Sequence, residues 1–196
     1  MGYILNNENG IADKETFLAV VKAMKTIFIR DRINIHHAQK CRYISLANKK
    51  YQIENLEFLQ YFPNVQHIEI ISERLSSVGP LSQVEKVETI FIKNAQLRTL
   101  APIAACKYLN RVTFINVSIE DNDFTPLRHL PALKTLTLQK CNVTNIDWIA
   151  GHPNLENLEL DENAIEDFYP VKTLQSLKFI CANWRVFPHP FDDLFS

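Results

Sequence analysis

The sequence predicts a right-handed solenoid of the α/β class, with a parallel β-sheet on a concave face, short 3₁₀-like or irregular convex returns, and an N-terminal helical cap. The first sign is a pattern, apolar-x-x-apolar-x-apolar, that occurs seven times: Cys41/Ile44/Leu46, Val65/Ile68/Ile70, Val87/Ile90/Ile92, Leu109/Val112/Phe114, Leu133/Leu136/Leu138, Leu155/Leu158/Leu160 and Leu174/Leu177/Phe179. Successive starts lie 24, 22, 22, 24, 22 and 19 residues apart, the kind of self-similarity that marks repeat architectures. The second sign is an apolar residue at every third position between these strands, as in Leu75, Val78, Leu81 and Val84, or Leu97, Leu100, Ile103 and Cys106. Period three fits a 3₁₀-like return better than an α-helix, and Pro80, Pro102, Pro126 and Pro153 would interrupt longer helices. One turn of a coil joins both periods, points every apolar side chain inward and relies on its neighbours to cover its open faces.

With 196 residues, 46% of them apolar and 22% charged, the chain is one domain that builds a core without disulfides or a metal. Residues 1–40 read as an N-terminal cap with a possible abbreviated repeat, 41–181 as about seven repeats, and 182–196 as a C-terminal cap. Within the first part, 13–24 predicts a helix with Asp13 at its N-cap and Phe17, Val20, Val21 and Met24 as an apolar stripe set against the first coil turn. Residues 27–35 alternate like an extended segment. At the other end Trp184, Phe187, Phe191, Leu194 and Phe195 suit a lid over the last turn, or a hydrophobic docking tail, with Pro188 and Pro190 opposing regular structure.

The units LENLELDENAIEDF (Leu155 to Phe168) and LKTLTLQKCNVTNIDWI (Leu133 to Ile149) resemble leucine-rich repeats of the 22-residue kind, found in internalins and in SDS22-like phosphatase regulators. The resemblance places the family's ladder asparagine at Asn163 and a tolerated cysteine at Cys141. The same position holds Lys49, Glu73, Ala95, Val117 and Ala182 elsewhere, which predicts less regular turns and a looser register there. A scaffold of this kind hosts many binding partners and little catalysis.

Residues that alternate with the buried ones face outward from the sheet. They include Tyr43, Ser45 and Ala47, then His67, Glu69 and Ile71, then Thr89, Phe91 and Lys93, then Arg111, Thr113 and Ile115. Further along they are Thr135, Thr137 and Gln139, then Asn157, Glu159 and Asp161, and last Ser176, Lys178 and Ile180. Ile71, Phe91 and Ile115 on consecutive strands, rimmed by His67, Glu69, Lys93 and Arg111, have the composition of a protein-binding centre; the other reading is that they are covered by the chain's own cap or are scattered exposed residues. Glu159 and Asp161 belong to an acidic patch with Glu156, Glu162, Glu166 and Asp167, suited to a basic partner and lacking the calcium-loop pattern.

Lys plus Arg number 21 against 22 Asp plus Glu, a formal charge of -1, so no bulk positive field favours nucleic acid. No membrane span and no basic-then-apolar leader are visible in the sequence. Cys41, Cys106, Cys141 and Cys181 are far apart and lack zinc-type spacing; buried reduced thiols are expected, and from them a cytoplasmic location. Hydrolase, phosphate-loop, dinucleotide and zincin motifs are missing, so the expectation is a protein that is not an enzyme and takes no cofactor or metal. The predicted function is a protein–protein interaction module, monomeric when free, that binds another protein through its concave sheet as a regulatory adaptor or inhibitor. The alternatives are an immunity or antitoxin-like protein neutralising a toxin, and an internalin-like surface adhesin.

Overall fold

The computed structural model describes residues 3–5, 16, 18, 20, 32–47 and 52–188. Strands β1 (Tyr3–Leu5) and β2 (Arg32–Asn34) pair antiparallel in a small sheet of their own, and β2 runs directly into helix α1 (Ile35–Lys40). Seven strands then stack in chain order as parallel neighbours: β3 (Tyr43–Leu46), β4 (His67–Ile71), β5 (Thr89–Leu97), β6 (Arg111–Ile119), β7 (Thr135–Gln139), β8 (Asn157–Glu159) and β9 (Phe179–Ala182). A last strand, β10 (Arg185–Pro188), turns back antiparallel to β9. Each return between parallel strands passes through a short 3₁₀ turn: Glu57–Tyr61, Gly79–Gln83, Ala101–Ala105, Thr125–His129, Asp147–Ile149 and Tyr169–Thr173. Pro80, Pro102, Pro126 and Pro170 open four of these turns, where a missing N–H leaves no bond unmade.

The two sequence periods become columns of one core. Ile44, Ile68, Ile90, Val112, Leu136, Leu158 and Ile180 are aligned strand to strand and all buried. From the convex side Leu59, Leu81, Ile103, Leu127, Ile149 and Val171, one from each 3₁₀ turn, close on them. The result is the predicted solenoid, with parallel pairing at Ile68↔Ile90 and Ile70↔Ile92.

Four expectations change. The seventh unit shifts by three residues, because Leu158 pairs with Ile180 and Leu177 takes the pre-strand position. Its spacing from Leu155 is then the regular 22, and its outward residues are Phe179 and Cys181 in place of Ser176, Lys178 and Ile180. The segment 27–35 does not make an abbreviated parallel turn in its described part, since Arg32–Asn34 pairs antiparallel with Tyr3–Leu5 and Ile35 is already helical. Pro188 does not prevent regular structure: it ends β10, whose Phe187 is buried against the last turn. Of the N-terminal helix, Thr16, Leu18 and Val20 are helical and Val20 is fully buried; Phe17, Val21, Met24, Phe191, Leu194 and Phe195 lie outside the described residues.

The fourth change concerns the ladder. Asn163 behaves as expected: its Oδ1 accepts the N–H groups of Cys141 (3.0 Å) and Val143 (3.1 Å), and its Nδ2 donates to the carbonyls of Leu160 (2.9 Å), Asp161 and Leu138. At Ala95 and Val117, where the asparagine is missing, the register does not loosen, while Lys49 lies outside the described residues. Strands β5 and β6 instead run nine residues each and pair through Ala95↔Val117 to Leu97↔Ile119. One position earlier Asn94 and Asn116 adopt φ of 59° and 54°, a left-handed conformation asparagine tolerates, and Asn116 Nδ2 donates to Asn94 Oδ1 at 2.9 Å. Backbone pairing thus replaces the half-buried amide.

His152 is the one polar member of the convex column Phe62, Val84, Cys106, Leu130, His152 and Leu174, and it is only 3% exposed. Its Nε2–H donates to the Leu130 carbonyl at 3.2 Å while Nδ1 accepts the Asn154 N–H at 3.4 Å, so the neutral ring satisfies both neighbours. Burial holds its pKa below the ordinary histidine value; the bond to Leu130 opposes that shift and the charge of Arg128 adds to it. An unfolded chain takes up this proton near pH 6.5, whereas the folded chain resists it to lower pH. Stability should therefore fall as pH drops through about 6.5 toward the lower folded value, and His152→Leu should flatten that part of the profile. Urea midpoints at about pH 7.5 and 5.5 check this; equal pH slopes in the two proteins would contradict it.

Candidate functional site

The strand register lays the outward residues in three rows across the concave sheet. One row reads Tyr43, His67, Thr89, Arg111, Thr135, Asn157 and Phe179; the next reads Ser45, Glu69, Phe91, Thr113, Thr137, Glu159 and Cys181. A third carries Ile71, Lys93, Ile115 and Gln139. Ile71, Lys93 and Ile115 thus share one row, with Lys93 between the two isoleucines, and Phe91 stands in the adjacent row between Glu69 and Thr113. Phe91, Ile71, Ile115, Lys93, His67 and Glu69 are half-buried and Arg111 is exposed.

Glu69 is held in place, since its Oε2 accepts the hydroxyls of Tyr43 (2.9 Å) and Ser45 (2.6 Å). That bond pushes the Tyr43 phenol upward in pKa, with desolvation adding to it, because ionisation would set an anion against the carboxylate. The Tyr43 and His67 rings lie 6.4 Å apart, so the rim at this end is an aromatic pair backed by an acid. Alternation in the sequence marks Tyr43 and Ser45 only as displayed positions; their common bond to Glu69 depends on the register.

The acidic residues do not act as one site. Glu159 is half-buried, accepts the Thr137 hydroxyl at 3.0 Å, and lies three strands from Phe91, roughly 14 Å at about 4.8 Å per strand. Asp161 is buried, and its carboxylate is taken up by the chain itself: Oδ1 accepts the Trp184 N–H at 2.6 Å and Oδ2 the Cys181 thiol at 3.2 Å. Glu156 pairs with Lys134 at 3.2 Å and with Lys178. Asp161 therefore braces the β9–β10 turn, and Thr137, expected to face solvent, is 8% exposed beneath Glu159.

All four cysteines are free; Cys106 and Cys141 are buried, Cys41 and Cys181 half-buried. Burial pushes the thiols of Cys106 and Cys141 up to about 11 and about 12, which leaves them protonated and poorly reactive. Among the described residues no group of three or more His, Cys, Asp or Glu could hold a metal ion, and no helix is long and apolar enough to cross a membrane.

The same coil is present in solved structures. An internalin (inlF) of Listeria monocytogenes superposes with a TM-score of 0.65 at 18% identity, covering 88% of this chain and 56% of its own. The fold is a leucine-rich repeat solenoid. Internalin C2 of the same organism matches at TM-score 0.55 and 19% identity, over 87% of this chain and 93% of its own. A leucine-rich repeat protein of Leptospira interrogans matches at 0.56 and 19%, over 74% of this chain and 37% of its own. This chain therefore spans little more than half the length of the first of these structures. No protein-family model matches the sequence, and no curated protein matches it.

The likeness is to internalin-type repeats and is one of fold. It also corrects the cytoplasmic location expected from the cysteines, because internalins are secreted or surface proteins of bacteria. The physical fault in that expectation is plain: Cys106 and Cys141 are kept apart and unreactive by burial in different columns of the core, so their free state does not report a reducing compartment.

Proposed function

We propose that this leucine-rich repeat is an internalin-like binding module, of the bacterial surface or secreted kind, that takes a protein partner on its concave sheet. The patch formed by Phe91 with Ile71, Lys93 and Ile115 carries the reading. Its apolar side chains are half-buried, they lie on three consecutive strands, and His67, Glu69 and Arg111 rim them with both signs of charge. A partner that covers them desolvates an aromatic anchor inside a polar ring, the usual anatomy of a binding hot spot. Glu159 would lie on the flank of the footprint.

Site-directed photo-crosslinking tests the face. A photoreactive residue at Thr113, beside Phe91, should capture a protein from the surface of cells that bind the purified chain. The same group at Ala105, exposed on a convex 3₁₀ turn, should capture nothing specific. Capture at Ala105 and none at Thr113 would place the contact on the other side of the coil.

A further inference from the structure

At the N-terminal ends of β3, β4 and β5, Gln39, Lys40, Arg42, Asn64, Gln66 and Lys86 line a groove of about 440 Å³. Three successive coil turns contribute: Lys40 ends α1, Arg42 and Gln66 lead into β3 and β4, and Lys86 stands in the turn before β5. The lining holds three cations and no carboxylate. Three bases elsewhere on the coil are ion-paired, Arg74 with Glu54, and Lys134 and Lys178 with Glu156, while among the described residues others such as Lys93, Lys107 and Arg111 stand singly and do not share a hollow with further cations. Lys40, Arg42 and Lys86 make no ion pair among the described residues. The carboxylate of Glu88 takes the Gln66 Nε2–H at 2.8 Å and is not part of the lining.

The groove is also held in shape. Asn64 Nδ2 donates to the Gln39 carbonyl at 2.6 Å, which ties the turn before β4 to α1, and Asn64 Oδ1 accepts one proton of the Lys86 ammonium at 2.6 Å. The Arg42 carbonyl accepts the N–H groups of Gln66 (2.8 Å) and His67 (2.9 Å), fixing the backbone beneath the guanidinium. Three like charges around one hollow repel each other until an anion enters. A guanidinium offers a paired set of donors and each ammonium a point charge approaching from another turn, a combination that suits the three terminal oxygens of a tetrahedral group better than the two coplanar oxygens of a carboxylate.

We propose that this groove binds a tetrahedral oxyanion, the terminal group of a sulfate or phosphate ester. The proposal does not rest on the concave-face reading, because none of the six residues belongs to the patch around Phe91.

Amide chemical shifts of the ¹⁵N-labelled chain test it, with inorganic sulfate, inorganic phosphate, glucose 6-sulfate and glucose 6-phosphate as ligands and sodium acetate at matched ionic strength as the control. Saturable shifts should be confined to 39–42, 64–66 and Lys86. Arg42→Gln should raise the dissociation constant on the order of tenfold, and a Lys40→Gln, Lys86→Gln double variant should abolish saturation. Lys107→Gln, which removes an exposed cation outside the groove, should leave the titration unchanged. Preference for the sulfate ester would support the site and point to a sulfated ligand; preference for the phosphate ester would support it and point to a phosphorylated one. Shifts that acetate reproduces, or an unaltered dissociation constant in Arg42→Gln, would overturn the proposal.

Discussion

Leu136→Ala should lower the unfolding free energy by about 2–5 kcal/mol, measured by urea denaturation. Leu136 is fully buried between Val112 and Leu158 in the column that runs the length of the sheet, so truncation removes burial and leaves a cavity that neighbours on both sides cannot fill. Thr113→Ala, on the concave face of the adjacent strand, should stay within about 1 kcal/mol, since Thr113 is half-exposed and its side chain points away from the core. Thr137→Ala should fall between the two, at about 1–2 kcal/mol, because this threonine is buried and donates to Glu159. Equal midpoints for Leu136→Ala and Thr113→Ala would mean that inward and outward positions are exchanged.

Asn163→Ala should cost about 3 kcal/mol, an effect comparable to losing a core leucine from a side chain that contributes no apolar burial. The amide serves five backbone groups at once, two N–H donors from the preceding turn and three carbonyls. Deleting it strands the N–H groups of Cys141 and Val143 where only a side-chain acceptor reached them. Asn163→Asp keeps the acceptor and loses the donors, so it should lie between wild type and alanine. Thermal unfolding separates the cases, with the alanine variant melting roughly 6–12 °C lower if a chain of this size loses about 2–4 °C per kcal/mol. A shift of a degree or less would show that the turn is held by pairing of the kind seen between β5 and β6.

The architecture was readable because burial imposes a period on every unit, and Ile44, Ile68, Ile90, Val112, Leu136 and Leu158 keep that period in large apolar side chains. The last unit was misregistered because its second strand position is Ala182, too small to stand out, while Leu174, Leu177 and Phe179 imitate the pattern three residues early. The regular spacing of 22 from Leu155 to Leu177 was the signal that would have corrected it. The C-terminal hairpin was hidden for a different reason. Its two-residue turn is Asn183-Trp184, both at positive φ (52° and 62°), and Trp184 lacks the glycine that usually marks such a turn. Asp161, twenty-three residues earlier, anchors the Trp184 N–H, a contact that no local pattern reveals.

On the candidate site, alternation alone identified which residues face outward around Phe91, and register then decided their neighbours. That Lys93, not Phe91, lies between Ile71 and Ile115 follows from strand alignment. Asp161, expected to face outward, and His152 are both buried, and the sequence hides this for a shared reason: a period defined by apolar residues has no place for a polar side chain that is buried and hydrogen-bonded by the chain itself.

The concave sheet around Phe91 is the proposed binding face. Calorimetric titration of the Phe91→Ala and Arg111→Ala chains against the protein captured at Thr113 tests it, after thermal melts establish that both variants remain folded. A desolvated aromatic anchor predicts a loss of about 2 kcal/mol or more for Phe91→Ala, some thirtyfold in dissociation constant, with a smaller loss for the rim residue Arg111. Wild-type affinity in both variants would contradict the account and move the contact away from this sheet.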